Sequence, residues 1–199
     1  MDVIAEYSVR LPLLKQVATA IQETLEELLA GVPRIDRITT RVKTVASFAG
    51  KAKKTDPDSG VLKYQYPLDE IQDQIGARIV VFYRSDVDSV IQRVLTEFQE
   101  IENRPKEHLA HSFGYEAHHL VCLIPPDMRA AYQVPITFFE LQISTLFQYA
   151  WTQAEHDLGY KSQGKLSYED ERRMAWAAAQ AWGADLIFDE LWKRLEEPS

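Results

Sequence analysis

Residues 73–83 read Asp73-Gln-Ile-Gly76-Ala-Arg78-Ile-Val-Val-Phe-Tyr83, and the fold turns on this stretch. From Ala77 to Tyr83, β-branched and aromatic residues follow one another, the composition of a central strand. Leu68–Gln74 ahead of it predicts a short helix. After it, Ser85 is placed to cap a helix running through Phe98, with Asp86 and Asp88 in the first turn, where acidic groups favour a helix N-terminus.

Outward from this strand, Ile35–Val42 reads as another strand and Val45–Lys54 as a short basic helix or loop. Thr55-Asp-Pro-Asp-Ser-Gly60 is turn chemistry. Ile101–Phe113 is polar and has no clear period. Ala117–Ile124 and Val134–Ile143 predict two more strands joined by a Pro-Pro connection. Leu146–Leu158 predicts a helix closed by Gly159, and Tyr168–Leu195 a long helix rich in Ala and Trp. At the N-terminal side, Leu14, Val17, Ile21, Leu25 and Leu28 recur at helical spacing between Leu11 and Leu29, and Gly31 with Pro33 ends the run. Short strands between terminal helices, without regular βαβ alternation, predict an α+β fold: a mixed central sheet flanked by helices. The expected division is an N-terminal helix (1–33), a central domain (34–162) and a C-terminal helix (163–199).

The chain has 199 residues, 46% of them hydrophobic, and a net charge of −8. This allows a sizeable core and argues against coating duplex DNA through the overall field. The lone Cys122 sits in an apolar strand, so it reads as a packed thiol, and a disulfide framework is excluded within one chain. No apolar run approaches the ~20 residues of a membrane span, and the N-terminus lacks a signal-peptide pattern. A cytoplasmic chain without membrane contact is expected.

Four clusters can carry chemistry. Arg41, Lys43, Ser47 and Lys51, with Lys53 and Lys54 behind them, form a basic island in an acidic chain. Arg41 and Lys43 share a face on a strand, and Ser47 and Lys51 share one on a helix. Such a set suits a polyphosphate or, alternatively, a solvated basic surface. Asp73 before Gly76 and Arg78 suits Mg²⁺, or else a plain turn with Gly76 as helix C-cap. Glu140 and Gln142 point to one side of a strand whose Leu141 and Ile143 point into the core. That makes Glu140 a general-base or metal-ligand candidate, or an edge carboxylate facing water. Tyr115 offers a ring for stacking on a base and His119 a group for a phosphate or ribose. His111, His118 and His119 lack zinc spacing, and His156-Asp157 is a lone pair without upstream ligands.

In order, the segments RVKTVASFAGK, DQIGAR, GYEAHH, ELQIST and WTQAEHDLGYK resemble the RelA/SpoT alarmone synthetase domain over roughly residues 34–162. The resemblance implies a nucleotidyltransferase-like synthetase fold and a Mg²⁺-dependent pyrophosphokinase that moves the β,γ-pyrophosphate of ATP to the 3′-hydroxyl of GDP or GTP. By the same resemblance, Arg41, Lys43, Ser47 and Lys51 grip the polyphosphate, and Arg41 and Arg78 lie against adenine. Asp73 and Glu140 hold Mg²⁺, Glu140 takes the acceptor's proton, Tyr115 stacks on the acceptor base, and Gln142 and His119 orient it. Two positions depart from the family pattern: its Arg after E-x-Q-x is Ser144, and its Ser after G-Y-x is Ala117. Both fall on the acceptor side. Other acceptors therefore stay open, namely the 3′-CCA end of tRNA or an adenosine nucleotide in a toxic member, as does a catalytically dead nucleotide sensor. The C-terminal helix can pack on the domain, join a homo-oligomer or hold an antitoxin.

Overall fold

A computed structural model describes residues 2–104, 117–161 and 166–196. Among them, strands β1 (Ile35–Val42), β2 (Ile75–Val81), β3 (Glu100–Arg104), β4 (His118–Leu123) and β5 (Phe138–Thr145) form one sheet in the order β1-β2-β5-β4-β3. The β2–β5 pair is parallel and the other pairs are antiparallel. The helices are α1 (Val3–Leu28), α2 (Val45–Ala52), α3 (Pro67–Glu70), α4 (Arg84–Val94), α5 (Pro126–Tyr132), α6 (Leu146–Lys161) and α7 (Tyr168–Glu196). This is the α+β class that the sequence indicates.

Alternation along the strands gives the sheet two unlike faces. Ile75, Ala77, Ile79 and Val81 of β2, Phe139, Leu141 and Ile143 of β5, and Leu120 and Cys122 of β4 are fully buried. They meet α1 and α4 in one core. The neighbours between them, Gly76 and Arg78 on β2 and Glu140 and Gln142 on β5, are only half-buried and look the other way, toward the cleft bounded by α6. Burial pushes the Cys122 thiol up to about 12, so it is a packing group. No helix among the described residues is long and apolar enough to cross a membrane.

Several boundaries differ from those the sequence suggests. Helix α1 begins at Val3, capped by Asp2, and carries Pro12 inside it. Helix α4 starts one residue before Ser85: its N-cap is Tyr83, whose N–H donates to Asp86, and it ends at Val94. Gly76 lies within β2 and caps no helix. Gly159 lies inside α6 and does not close it. Strand β3 occupies the first part of the stretch without a period, and α5 occupies the Pro-Pro connection. In the turn after α2, Asp56 Oδ1 accepts from Asp58 N, Ser59 N and Ser59 Oγ, as the turn chemistry there predicts.

Helix α7 is fastened to the sheet by two aspartates four residues apart, one helical turn. Thr145 Oγ1, at the end of β5, donates to Asp185 Oδ2 at 2.7 Å. Ser85 N, in the first turn of α4, donates to Asp189 Oδ1 at 2.8 Å, which places a carboxylate at a helix N-terminus, where it is favoured. Trp192 stacks on Tyr83 and carries the Arg34 guanidinium 4.3 Å from its ring centre. Trp176, Trp182 and Leu195 stay on the outer side.

Asp185 is fully buried, and its Oδ1 has no hydrogen-bond partner among the described residues. Burial raises its carboxyl to about 7, against a lowering by Arg84 and with a smaller lift from Asp189. The folded chain therefore holds this proton more tightly than the unfolded one does. Between the ordinary carboxylate range and about 7, the group's contribution to stability falls as pH rises. Asp185→Asn, which keeps an acceptor for Thr145, should unfold later in urea than wild type by roughly 2–4 kcal/mol at about pH 8. The gap should close toward about pH 4, and a pH-independent difference would contradict the burial argument.

Candidate active site

The polar face of the sheet is ordered by strand register. Arg41 of β1 lies opposite Gly76 of β2, which lies opposite Glu140 of β5. One pair along, Thr39, Arg78, Gln142 and His119 form the next row. Five residues singled out in the sequence thus arrive side by side through pairing alone.

Beyond β1, Lys43 extends the ladder by donating its N–H to Gln74 O. Thr44 then caps α2: its Oγ1 accepts from Ser47 N and bonds to Ser47 Oγ. Helix α2 is held from behind by α1. The Tyr7 and Phe48 rings stack 3.8 Å apart and within 2° of parallel, and the Tyr7 hydroxyl donates to Lys43 O at 2.7 Å. Burial, with the Asp73 charge adding to it, pushes the Tyr7 phenol up to about 12, so it remains a donor. Tyr7 had no place among the sequence candidates, because the helical spacing is read only from Leu11 onward, whereas α1 begins at Val3.

Asp73 follows in the 3-10 turn Gln72–Gln74. Lys43 Nζ lies 2.7 Å from its Oδ2 and Lys51 Nζ lies 3.0 Å from its Oδ1. Burial would raise this carboxyl, but hydrogen bonding and charge from the two lysines outweigh it and hold it below the ordinary range. Lys51 is the group that meets the buried Oδ1.

Glu140 is treated in the same way by its own neighbours. Gln142 Nε2 donates to its Oε2 at 2.9 Å, and His119 Nδ1 stands 3.4 Å from its Oε1. Burial raises the carboxyl, His119 and Gln142 lower it, and Asp73 raises it slightly; the net shift is downward. Asp73 comes three residues before Gly76, the strand partner of Glu140, so the two acids lie at neighbouring positions. Both are ionised at neutral pH. The other end of Gln142 is fixed as well, because Arg78 Nε and Nη2 donate to its Oε1 at 3.3 and 3.0 Å. A relay therefore runs from Arg78 through Gln142 to Glu140.

Arg78 is depressed by burial first and by the like charge of Arg41 second. Arg41 lies across Gly76: a Cβ built there would touch Arg41 Cγ and Nε at 3.7 Å, an ordinary contact. A narrow slot of about 50 Å³ lies between the two arginines, floored by Gly76 and Thr39. It adjoins a larger cavity of about 380 Å³ bounded by Arg41, Arg78, His119 and Gln142 on the sheet. Thr152, Gln153, Glu155 and His156 of α6 close the far side, so His156 faces the cavity although its sequence context gave it no metal role. Helix α6 starts where it does because Thr145 and Gln148 cap it reciprocally, each accepting the other's backbone N–H.

Arg41, Arg78, His119 and Gln142 thus line one cleft; Glu140 adjoins it through Gln142 and His119, and Asp73 with Lys43 and Lys51 forms the neighbouring cluster. Ser47 sits at its edge, tied to Thr44. Tyr115 lies outside the described residues. Groups that the sequence did not single out are Tyr7, Tyr149 on α6, and Glu102, which accepts from Gln72 Nε2 beside Asp73.

The family profile "Region found in RelA / SpoT proteins" matches residues 40–165, and the chain belongs to this family. No curated protein sequence matches. Among solved structures, the chain is similar to the small alarmone synthetase 1 from Bacillus subtilis, at 24% identity and a TM-score of 0.79 over 98% of this chain and 100% of that one. It is also similar to a GTP pyrophosphokinase family protein from Streptococcus pneumoniae, at 23% identity and a TM-score of 0.78 over 99% and 97%. The Bacillus subtilis enzyme bound to its product pppGpp matches at 25% identity and a TM-score of 0.77 over 96% and 98%.

Replacing both Lys43 and Lys51 by Met leaves burial as the main influence on Asp73. Its carboxyl should then titrate above the ordinary carboxylate range instead of below it, as followed by carboxyl ¹³C NMR. An unchanged titration would show that the lysines do not hold the charge.

Proposed function

We propose that this chain is a pyrophosphokinase that transfers the β,γ-pyrophosphate of ATP to the 3′-hydroxyl of a guanosine nucleotide and releases AMP. The observation that carries this reading is that two ionised carboxylates, Asp73 and Glu140, lie at neighbouring positions among four cations, Arg41 and Arg78 on the sheet and Lys43 and Lys51 beyond the end of β1. A site for phosphoryl chemistry needs positioning and charge neutralisation more than covalent help.

On this reading adenine enters the slot between the Arg41 and Arg78 guanidiniums, which suit stacking on a planar base. The polyphosphate then runs toward the start of α2, where Lys43, Lys51 and the Ser47 hydroxyl meet it. Lys43 and Lys51 are held on Asp73 until the phosphates arrive. The acceptor's 3′-oxygen attacks the β-phosphorus, the bond from that phosphorus to the oxygen bridging the α-phosphorus breaks, and AMP departs. Glu140 receives the hydroxyl proton. His119 and Gln142 fix the direction of its lone pairs, and the incoming phosphates raise its basicity, as Asp73 does to a smaller degree. Tyr115 is the group for the acceptor base.

The residues present fit Mg²⁺: Asp73 and Glu140 are ionised carboxylates of one site, and such an ion takes one or two carboxylates together with substrate phosphates. Bound there, it would neutralise charge on the transferred pyrophosphate. Use of ATP places the enzyme in the cytoplasm.

A second acceptor is favoured by a surface feature. Lys53, Lys54 and Lys63 are exposed at the end of α2 and across the turn that follows it, a basic strip suited to a tRNA 3′ end. The exposed Trp176 and Trp182 of α7 suit a second copy of the chain or an antitoxin. A nucleotide sensor without activity is disfavoured, since both carboxylates and the donor cations are retained.

Incubation with ATP, Mg²⁺ and GDP or GTP, resolved by nucleotide chromatography, should give AMP and a 3′-pyrophosphorylated guanosine nucleotide. Glu140→Gln should lower that rate by about 10²–10⁴-fold and leave ATP-analogue binding within about threefold, since the mutation preserves shape and the donor cations. AMP formation with label passing from the γ-phosphate to tRNA would move the acceptor to tRNA. Full turnover by Glu140→Gln would refute the site.

A further inference from the structure

Tyr149 sits in the first turn of α6 with two arginines over its ring. The guanidinium carbon of Arg37 lies 5.1 Å from the ring centre and that of Arg78 lies 5.2 Å from it. Arg37 belongs to the row Arg37–Val80–Ser144 across β1, β2 and β5. Ser144 is buried, and it stands where the family pattern has an arginine.

We infer that Tyr149, clamped by Arg37, is a positioning residue for Arg78 and thereby for the nucleotide base of the pyrophosphate donor. The argument starts from what holds Arg78. Its edge is fixed by Gln142, which accepts from Nε and Nη2, but an edge contact leaves the plane free to tilt about that line. A ring beside one face removes this freedom. Tyr149 lines neither the slot between Arg41 and Arg78 nor the adjoining cavity, so it takes up the side of Arg78 turned away from them. The face toward Arg41 stays open, and a base entering there completes the order Tyr149, Arg78, base, Arg41. Each guanidinium is then paired with a π-face, which offsets the repulsion of two like charges brought close in a half-buried cleft.

Arg37 gives the device its anchor. Tyr149 is on the helix wall and Arg78 on the sheet, so the ring alone would leave the two free to part. With Arg37 also over it, held in turn by Asp36, the ring is gripped from β1 as well. Arg37 thus ties the start of α6 to the sheet at the edge of the base slot. The inference rests on the ATP reading above for the identity of the base, while the stack itself belongs to the free protein.

The test has one arm for each. In the free protein, the Arg78 Nε–H resonance, assigned by its loss in Arg78→Lys, should show a ring-current shift and slowed exchange with water. Tyr149→Leu should abolish the shift, and Tyr149→Phe should retain it. In the second arm, binding of a non-hydrolysable ATP analogue should weaken roughly three- to thirty-fold in Tyr149→Leu. The surface change Arg37→Gln should act in the same direction to a smaller extent, and Tyr149→Phe should stay within about twofold of wild type. In turnover the loss should appear in the half-saturating ATP concentration more than in the limiting rate. An Arg78 signal indifferent to Tyr149→Leu, or analogue binding unchanged by it, would overturn the positioning role. A wild-type protein that keeps the ring-shifted signal but binds no ATP analogue would instead overturn the ATP reading.

Discussion

Parallel pairing of β2 with β5 is the constraint on which the rest of the molecule depends. It sets Gly76 against Glu140 and Arg78 against Gln142, so the acid, the amide that orients it and the guanidinium that orients the amide occupy adjacent positions. Parallel pairs cannot be joined by a tight turn. The intervening chain is used to build α4, β3, β4 and α5, which cover one face of the sheet and extend its edge. A slip of one residue would send Glu140 and Gln142 into the core and Leu141 and Ile143 into the cleft. The buried aliphatics on the α1 side therefore fix the chemistry on the other side.

The second organising force is electrostatic. The chain carries a net charge of −8, yet its cations converge on one cleft, where the free protein must keep them from repelling one another. Asp73 does this for Lys43 and Lys51, and Tyr149 does it for Arg37 and Arg78. The arrangement is cationic enough to attract a polyphosphate and sufficiently paired to remain folded without one. The same economy appears in α7, where Asp189 meets both the start of α4 and Lys193, whereas Asp185 is left with a single donor and a raised pKa.

Local pattern made much of this legible. The run Ile35–Val42 was read with its observed limits, and β2, β4 and the start of α6 were found within a few residues, because apolar alternation and turn residues act over short distances. The ordered motifs named the residues around the cleft, including Asp73 and Glu140, although their distance in sequence gave no hint of the contact itself. What escaped was short, polar or long-range. Strand β3 is an edge strand, Glu100–Arg104, with charged residues at three of its five positions, so no hydrophobic period marks it. Helix α5 hides behind Pro125 and Pro126. Gly159 and Pro12 sit inside helices against their local preference. The partners of Asp185 and Tyr149 lie on other elements, and nothing in their own neighbourhood distinguishes an anchored side chain from a solvated one.

The separation of Arg78 and Gln142 by 64 residues, with α6 and α7 following later still, has a consequence for how the protein comes into being. During vectorial synthesis α1, β1 and β2 emerge early, with an apolar sheet face and an unpaired strand edge that only β5 can satisfy. Such non-local closure is slow, and it leaves intermediates open to association. Glu140 and the helix that walls the cleft are translated last among the parts of the site. A nascent chain of this topology therefore completes its cleft only once β5 and α6 have left the ribosome.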